Sequence, residues 1–168
     1  INSQTKERTL QQLITQNCSL MTFSHSLFSP YRICPIGAHV DHQGGVVLGR
    51  TIHLGTTIDY EPTHTNKIYI SSDRFGETHF PIGALDKEHW TRYAQAAARV
   101  LNIKHGIKLH VKGALIGSGL SSSASVGLAF LKALADVNRI ELPNNQLVHL
   151  DFQLEHDELG LQNGLLDP

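Results

Sequence analysis

The stretch from Lys112 to Val126, KGALIGSGLSSSASV, constrains this chain more than any other. Ile107 to Val111 is an apolar, strand-like run, Gly113, Gly117 and Gly119 break up the next few residues, and Ser121 to Ser123 open a long apolar-periodic segment. A strand, a glycine loop and a helix N-terminus therefore succeed one another directly. Glycines let the backbone come close to a ligand, the first helical turn carries unpaired amides, and the helix dipole favours negative charge there. Such a junction suits phosphate, and its serine hydroxyls can add donors or a neutral metal ligand. The competing explanation is a serine N-cap behind a glycine turn. A Walker A loop is excluded, because no Lys-Ser/Thr follows the second glycine. A hydrolase elbow is excluded as well, since no Gly-x-Ser-x-Gly runs through Ser121 to Ser125.

Size and charge narrow the partner. A chain of 168 residues has the size of one domain, burying roughly 70% of the surface its unfolded form exposes. Fourteen Lys plus Arg stand against fifteen Asp plus Glu without a basic block, which argues against nucleic acid, a ribosomal-protein-like module included, and against an anionic membrane. No apolar run reaches the length of a membrane span, and the first residues lack a signal peptide's apolar core, so a cytoplasmic location is expected. Cys18 and Cys34 form no CxxC pair, in keeping with a reducing compartment. The chain starts at Ile1 and stops at Pro168 straight after an aspartate, which reads as a piece of a longer protein.

The element pattern is strands first and helices later. Leu10, Leu13 and Ile14 predict an amphipathic helix over 5–16. Residues 22–32 read as a strand interrupted by Pro30, and CPIGAHVDHQGG as a glycine-rich turn. Strand chemistry resumes over 46–60, then in KIYISSD and ETHFPI around an Arg74-Phe75-Gly76 turn, which predicts a meander. Residues 88–103 predict a helix with Trp90, Tyr93, Ala97 and Leu101 on one face, ended by Gly106. Further helices are predicted over 122–138 and over 144–159, the latter ending near Gly160. This order implies an α+β two-layer sandwich rather than a doubly wound sheet.

Three other places carry chemistry. His39-Val40-Asp41-His42 contains metal-ligand types, but no further His or Cys partner is evident. Gly37, Gly44 and Gly45 permit a sharp turn that presents His39 and Asp41 to a polar ligand instead. Glu155 lies in a helical stretch, where a carboxylate is ordinarily solvated, whereas Asp167 lies in the apolar-flanked GLLDP. Core packing is the first explanation for Trp90 and Tyr93.

These residues carry a family resemblance. PYRICPIGAHVDHQGGVVLGRTI resembles the galactokinase signature Gly-Arg-x-Asn-Leu-Ile-Gly-Glu-His-x-Asp-Tyr-x-x-Gly, and GALIGSGLSSSAS resembles the second motif of the GHMP small-molecule kinases. EHDELGLQNGLLDP is similar to the segment that carries the family's catalytic aspartate, and Trp90-x-x-Tyr93 falls where galactokinases place Trp-x-x-Tyr beside adenine. The resemblance implies that residues 1–168 are a GHMP kinase N-terminal domain of an ATP-dependent sugar 1-kinase using ATP and Mg²⁺. The family's third motif, in a C-terminal half, is not in these residues.

Carried over position by position, the resemblance makes Asp167 the base at the anomeric hydroxyl, with Arg32 beside it countering charge on the moving phosphoryl group. His39, Asp41 and the backbone at Gly164 would bind the sugar. Gly117, Ser118, Gly119, Leu120, Ser121 and Ser122 would cradle the ATP phosphates, while Ser123 and Glu155 hold Mg²⁺. Survival of Asp167, Arg32, Ser123 and Glu155 favours an enzyme over the family's silent sugar- and ATP-binding regulators.

Departures bear on the sugar. Cys34-Pro35 replaces Asn-Leu, Asn163 replaces a frequent Cys, Pro168 replaces Gln, and Ala38 stands where galactokinases have Glu. A Glu there would repel a substrate carboxylate by roughly 4 kcal/mol at about 4 Å. Ala38 removes that repulsion, and the Ala-His pairing resembles plant galacturonokinases, so galacturonic acid is expected over galactose. Recognition of the carboxylate still needs a positive partner, for which Arg50 or a residue of the C-terminal half is a candidate.

Overall fold

The computed structural model describes residues 23–37, 40, 43–113 and 120–161. The helix expected over 5–16 lies outside them. Among the described residues five strands, β1 (His25–Ile36), β2 (Leu48–Pro62), β3 (Lys67–Ser72), β4 (Gly76–Pro81) and β5 (Ile107–Gly113), form one sheet. Helix α1 (Arg92–Val100) precedes β5, and α2 (Ser122–Val137) and α3 (Asn144–Gln153) follow it. A π-helical turn, Leu154–Glu158, continues α3.

β1 runs through Pro30 rather than stopping there. It is an edge strand in the order β1-β2-β5-β3-β4, where a missing N–H leaves no gap in the ladder. Register shifts on either side of Arg32 bend it. Gly55 faces Pro30, and a Cβ at Gly55 would strike the Ser29 carbonyl, so the two backbones need a glycine there.

The predicted meander is corrected by β5. This strand lies between β2, to which it is antiparallel (Tyr60 opposite Leu109), and β3, to which it is parallel (Ile70 opposite Leu109). A parallel neighbour needs a crossover, and α1 supplies it after β4. Alternation within each strand divides the sheet faces. Ile58, Tyr60, Ile68, Ile70, Phe80, Ile107 and Leu109 face the helices and are buried, while Asp59, Glu61, Lys108 and Lys112 take alternate positions with ion pairs among them.

The helices complete a two-layer α+β arrangement over the buried face. Alanines at 94, 96, 97 and 98 give α1 strong helix propensity and a narrow contact surface, letting it sit close to α2. α1 begins at Arg92, later than the sequence pattern suggests, and stops well before Gly106 because Asn102 takes φ +48°. Phe130, Leu131 and Leu134 anchor α2 on the same core. At its end, Asn138 accepts from the backbone N–H groups of Lys104 and His105 (3.0 and 2.8 Å) and donates to the His105 carbonyl (3.2 Å), tying α2 to the approach into β5.

Candidate active site

The N-terminus of α2 is fixed before any ligand is considered. Ser121, at the N-cap, holds φ +53° and makes no side-chain capping bond, so the serine-cap explanation does not account for it. Two other contacts set the position. The Arg32 backbone N–H donates to the Leu120 carbonyl (3.1 Å), and the buried Ser125 hydroxyl donates to the Ser29 carbonyl (2.8 Å), with Thr56 Oγ1 at 3.1 Å. The loop end and first turn of α2 are thereby pinned to β1 and β2. Leu120, Ser121, Ser122 and Ser123 are all partly accessible there.

Glu155 reaches this region from the π-helical turn. The Leu159 N–H bonds the Leu154 carbonyl five residues back (3.1 Å), and the wider turn holds adjacent Leu154 and Glu155 both inward. Glu155 is only 1% exposed, contrary to the solvated carboxylate expected from an ordinary helix. Tyr93, from α1, donates its hydroxyl to Glu155 Oε1 at 3.3 Å. Burial, then the Glu155 charge, pushes the Tyr93 phenol up to about 12, while hydrogen bonding from the Ser123 side chain acts the other way. Ser123 and Glu155 thus converge on one hydroxyl.

The sequence pattern missed Asp151, four residues before Glu155. It is 0% exposed, and burial followed by the Glu155 charge pushes its carboxyl up to about 8. Its side chain packs over Gly127, where an added Cβ would collide with Oδ1. The only hints were the four-residue spacings Asp151 to Glu155 and Ser123 to Gly127, which align solely when α2 and α3 are placed side by side.

Trp90 takes a different position from Tyr93. It lies in the turn before α1, stacked on Phe75 (5.4 Å between centroids) and near His89 (5.8 Å), so the two rings do not share a helix face. Arg50 is exposed on β2, opposite Ile33. Ala38, His39, Asp41, Gly117, Ser118, Gly119, Gly164 and Asp167 lie outside the described residues.

A hydroxyl and a carboxylate are oxygen donors of the kind Mg²⁺ takes, and among the described residues no group of three or more His, Cys, Asp or Glu forms an all-protein metal cage. That donor set fits an ion whose remaining positions go to water and phosphate.

Residues 91–168 match the model described as GHMP kinases N terminal domain. These residues carry a GHMP kinase N-terminal domain. The crystal structure of Lactococcus lactis galactokinase complexed with galactose superposes with a TM-score of 0.83 at 31% identity, covering 95% of this chain and 45% of that one. Methanococcus jannaschii mevalonate kinase shares the fold, with a TM-score of 0.76 at 20% identity over 88% of this chain and 50% of that one. In sequence, the chain is 37% identical to a galacturonokinase of Arabidopsis thaliana over 83% of its length and 39% of the relative's. It is 35% identical to a galactokinase of Lactococcus lactis subsp. cremoris over 83% of its length and 38% of that protein's. The chain therefore spans about two fifths of the length of the curated relatives it matches. Among the described residues, no helix is long and apolar enough to cross a membrane.

Proposed function

We propose that this chain is the N-terminal part of a cytoplasmic, ATP-dependent sugar 1-kinase, completed by a C-terminal half, with galacturonic acid as its preferred substrate. The observation that carries the reading is the convergence of Ser123 and Glu155 on the Tyr93 hydroxyl at the N-terminus of α2. Galacturonokinase and galactokinase relatives support the substrate class.

In this reading the backbone from Gly117 to Ser122 receives the ATP phosphates at the positive end of α2. Ser123 and Glu155 hold Mg²⁺, with Tyr93 keeping the Glu155 carboxylate in place, and Trp90 lies toward the adenine side. Bound Mg²⁺ supplies neutralisation of charge on the phosphate oxygens. His39, Asp41 and the Gly164 backbone orient the sugar. Asp167 takes the proton of the anomeric hydroxyl as it attacks, and Arg32, anchored through its backbone to Leu120, counters charge on the transferred group. Ala38 leaves room, without a like charge, for a carboxylate on the sugar's sixth carbon.

The test compares kcat/KM for galacturonate and galactose in the full-length protein, then in Ala38→Glu. Preference for galacturonate that shifts toward galactose in Ala38→Glu is the expected result. A galactose preference in the unmodified enzyme refutes the sugar assignment, and no ADP release with either sugar points to a silent regulator.

A further inference from the structure

Asp151 has no part in the phosphoryl transfer outlined for Asp167 and Arg32, yet its surroundings are unusual. Neither carboxylate oxygen has a hydrogen-bond partner among the described residues, although the side chain is fully buried. Buried polar atoms are satisfied in nearly all folded proteins, and an exception points to a water or ion. Its neighbours say which. Ser123 and Gly127 lie one turn apart on α2, and Glu155 and Asp151 about one turn apart across α3 and its π-helical continuation. Ser123 and Glu155 meet at Tyr93, while Gly127 meets Asp151, so the two pairs form successive rungs of one seam. Gly127 offers no side chain, and the Asp151 carboxylate occupies the room this leaves.

We propose that Asp151 is a further acidic residue of the cation site, its two open oxygens accepting hydrogen bonds from the water shell of the divalent ion held by Ser123 and Glu155. The inference rests on the assignment of those two residues as ligands of the ion. Mg²⁺ parts with its waters reluctantly and is ordinarily bound through only one or two carboxylates, so its shell needs acceptors beyond the direct ligands. Such outer partners typically change metal affinity by about 10–100-fold when removed.

The experiment is Mn²⁺ titration of the full-length protein with saturating ADP, with free Mn²⁺ followed by electron paramagnetic resonance. Asp151→Asn is expected to weaken Mn²⁺ binding about tenfold or more, with metal-free ADP affinity unchanged. Gly127→Ala, which removes no donor but crowds Asp151, is expected to weaken it too. Glu155→Gln serves as the reference. If Glu155→Gln weakens Mn²⁺ binding but Asp151→Asn leaves it within about twofold of the unmodified protein, the role of Asp151 is overturned and the cation site stands. If neither variant changes it, the site assignment falls and the inference with it. A readout without variants covers misfolding: in unmodified protein labelled with ¹³C-carboxyl aspartate, Mn²⁺ must broaden the Asp151 signal, and a sharp, unshifted signal overturns the proposal.

Discussion

The outer face of the sheet and the seam between α2 and α3 both carry polar side chains, but water treats them differently. Outside, Lys112 pairs with Asp59 (2.7 Å), Lys108 with Glu61 (3.3 Å), and the Ser71 hydroxyl lies 2.8 Å from His110 Nδ1. These groups keep access to solvent, so their attraction only replaces hydration of similar strength. Inside, Glu155 and Asp151 are shut away from water, and Asp151 lacks any bonded partner among the described residues. There an ionised carboxylate is costly unless a hydrogen bond, a ligand or a proton answers it. Short polar contacts outside are thus interchangeable, whereas the unsatisfied Asp151 carboxylate inside marks where chemistry is expected.

That contrast can be broken at several levels. The largest effect belongs to Glu155→Ala, which under the proposed function is expected to lower sugar phosphorylation by the full-length protein at least about a hundredfold, through loss of the proposed metal ligand. Turnover near that of the unmodified protein, with an unchanged Mg²⁺ requirement, would return Glu155 to a structural role.

Next in size is a pH dependence. The Asp151 carboxyl ionises near 3.8 when unfolded and near 8 in the fold, so the fold binds the extra proton. Its stabilising contribution is full below about pH 4 and is lost as pH rises through about 8, amounting to a few kcal/mol at most. In EDTA, the urea midpoint of the unmodified protein should fall across this window relative to that of Asp151→Asn, and parallel pH profiles would show Asp151 to be ionised throughout.

Ser125→Ala removes a buried donor from the Ser29 carbonyl and should cost about 1–3 kcal/mol in urea unfolding. A cost below about 0.5 kcal/mol would mean that the first turn of α2 is held by packing alone. Smallest is Lys112→Ala on the outer face, expected to change stability by no more than about 1 kcal/mol, less still in high salt. A larger loss that survives salt would erase the distinction between the two regions.

Much of the fold was legible because its cues are local. Apolar alternation marked the strands, alanine density marked α1, and the serine run marked the start of α2. What escaped depends on partners distant in sequence. Nothing in the alternation of β5 reveals that it enters between β2 and β3. The sharing of the Tyr93 hydroxyl by Ser123 and Glu155 joins three elements, two of them 62 residues apart in the chain. Trp90 and Tyr93 were spaced for one helix face, but the helix began after Trp90. The π-helical turn left no compositional trace, and without it Glu155 read as a surface residue.

The placement of β5 has a consequence for the order in which this protein can assemble during synthesis. Before Ile107 leaves the ribosome, the pairings open to the described strands are β1–β2 and β3–β4, as two separate antiparallel pairs. The inner edges of β2 and β3 then stand bare, and such edges recruit other chains readily. β5 covers both at once, antiparallel on one side and parallel on the other. A nascent chain from which residue 107 has not yet emerged is therefore the form most exposed to edge-to-edge aggregation, and emergence of the 7 residues of β5 removes the hazard.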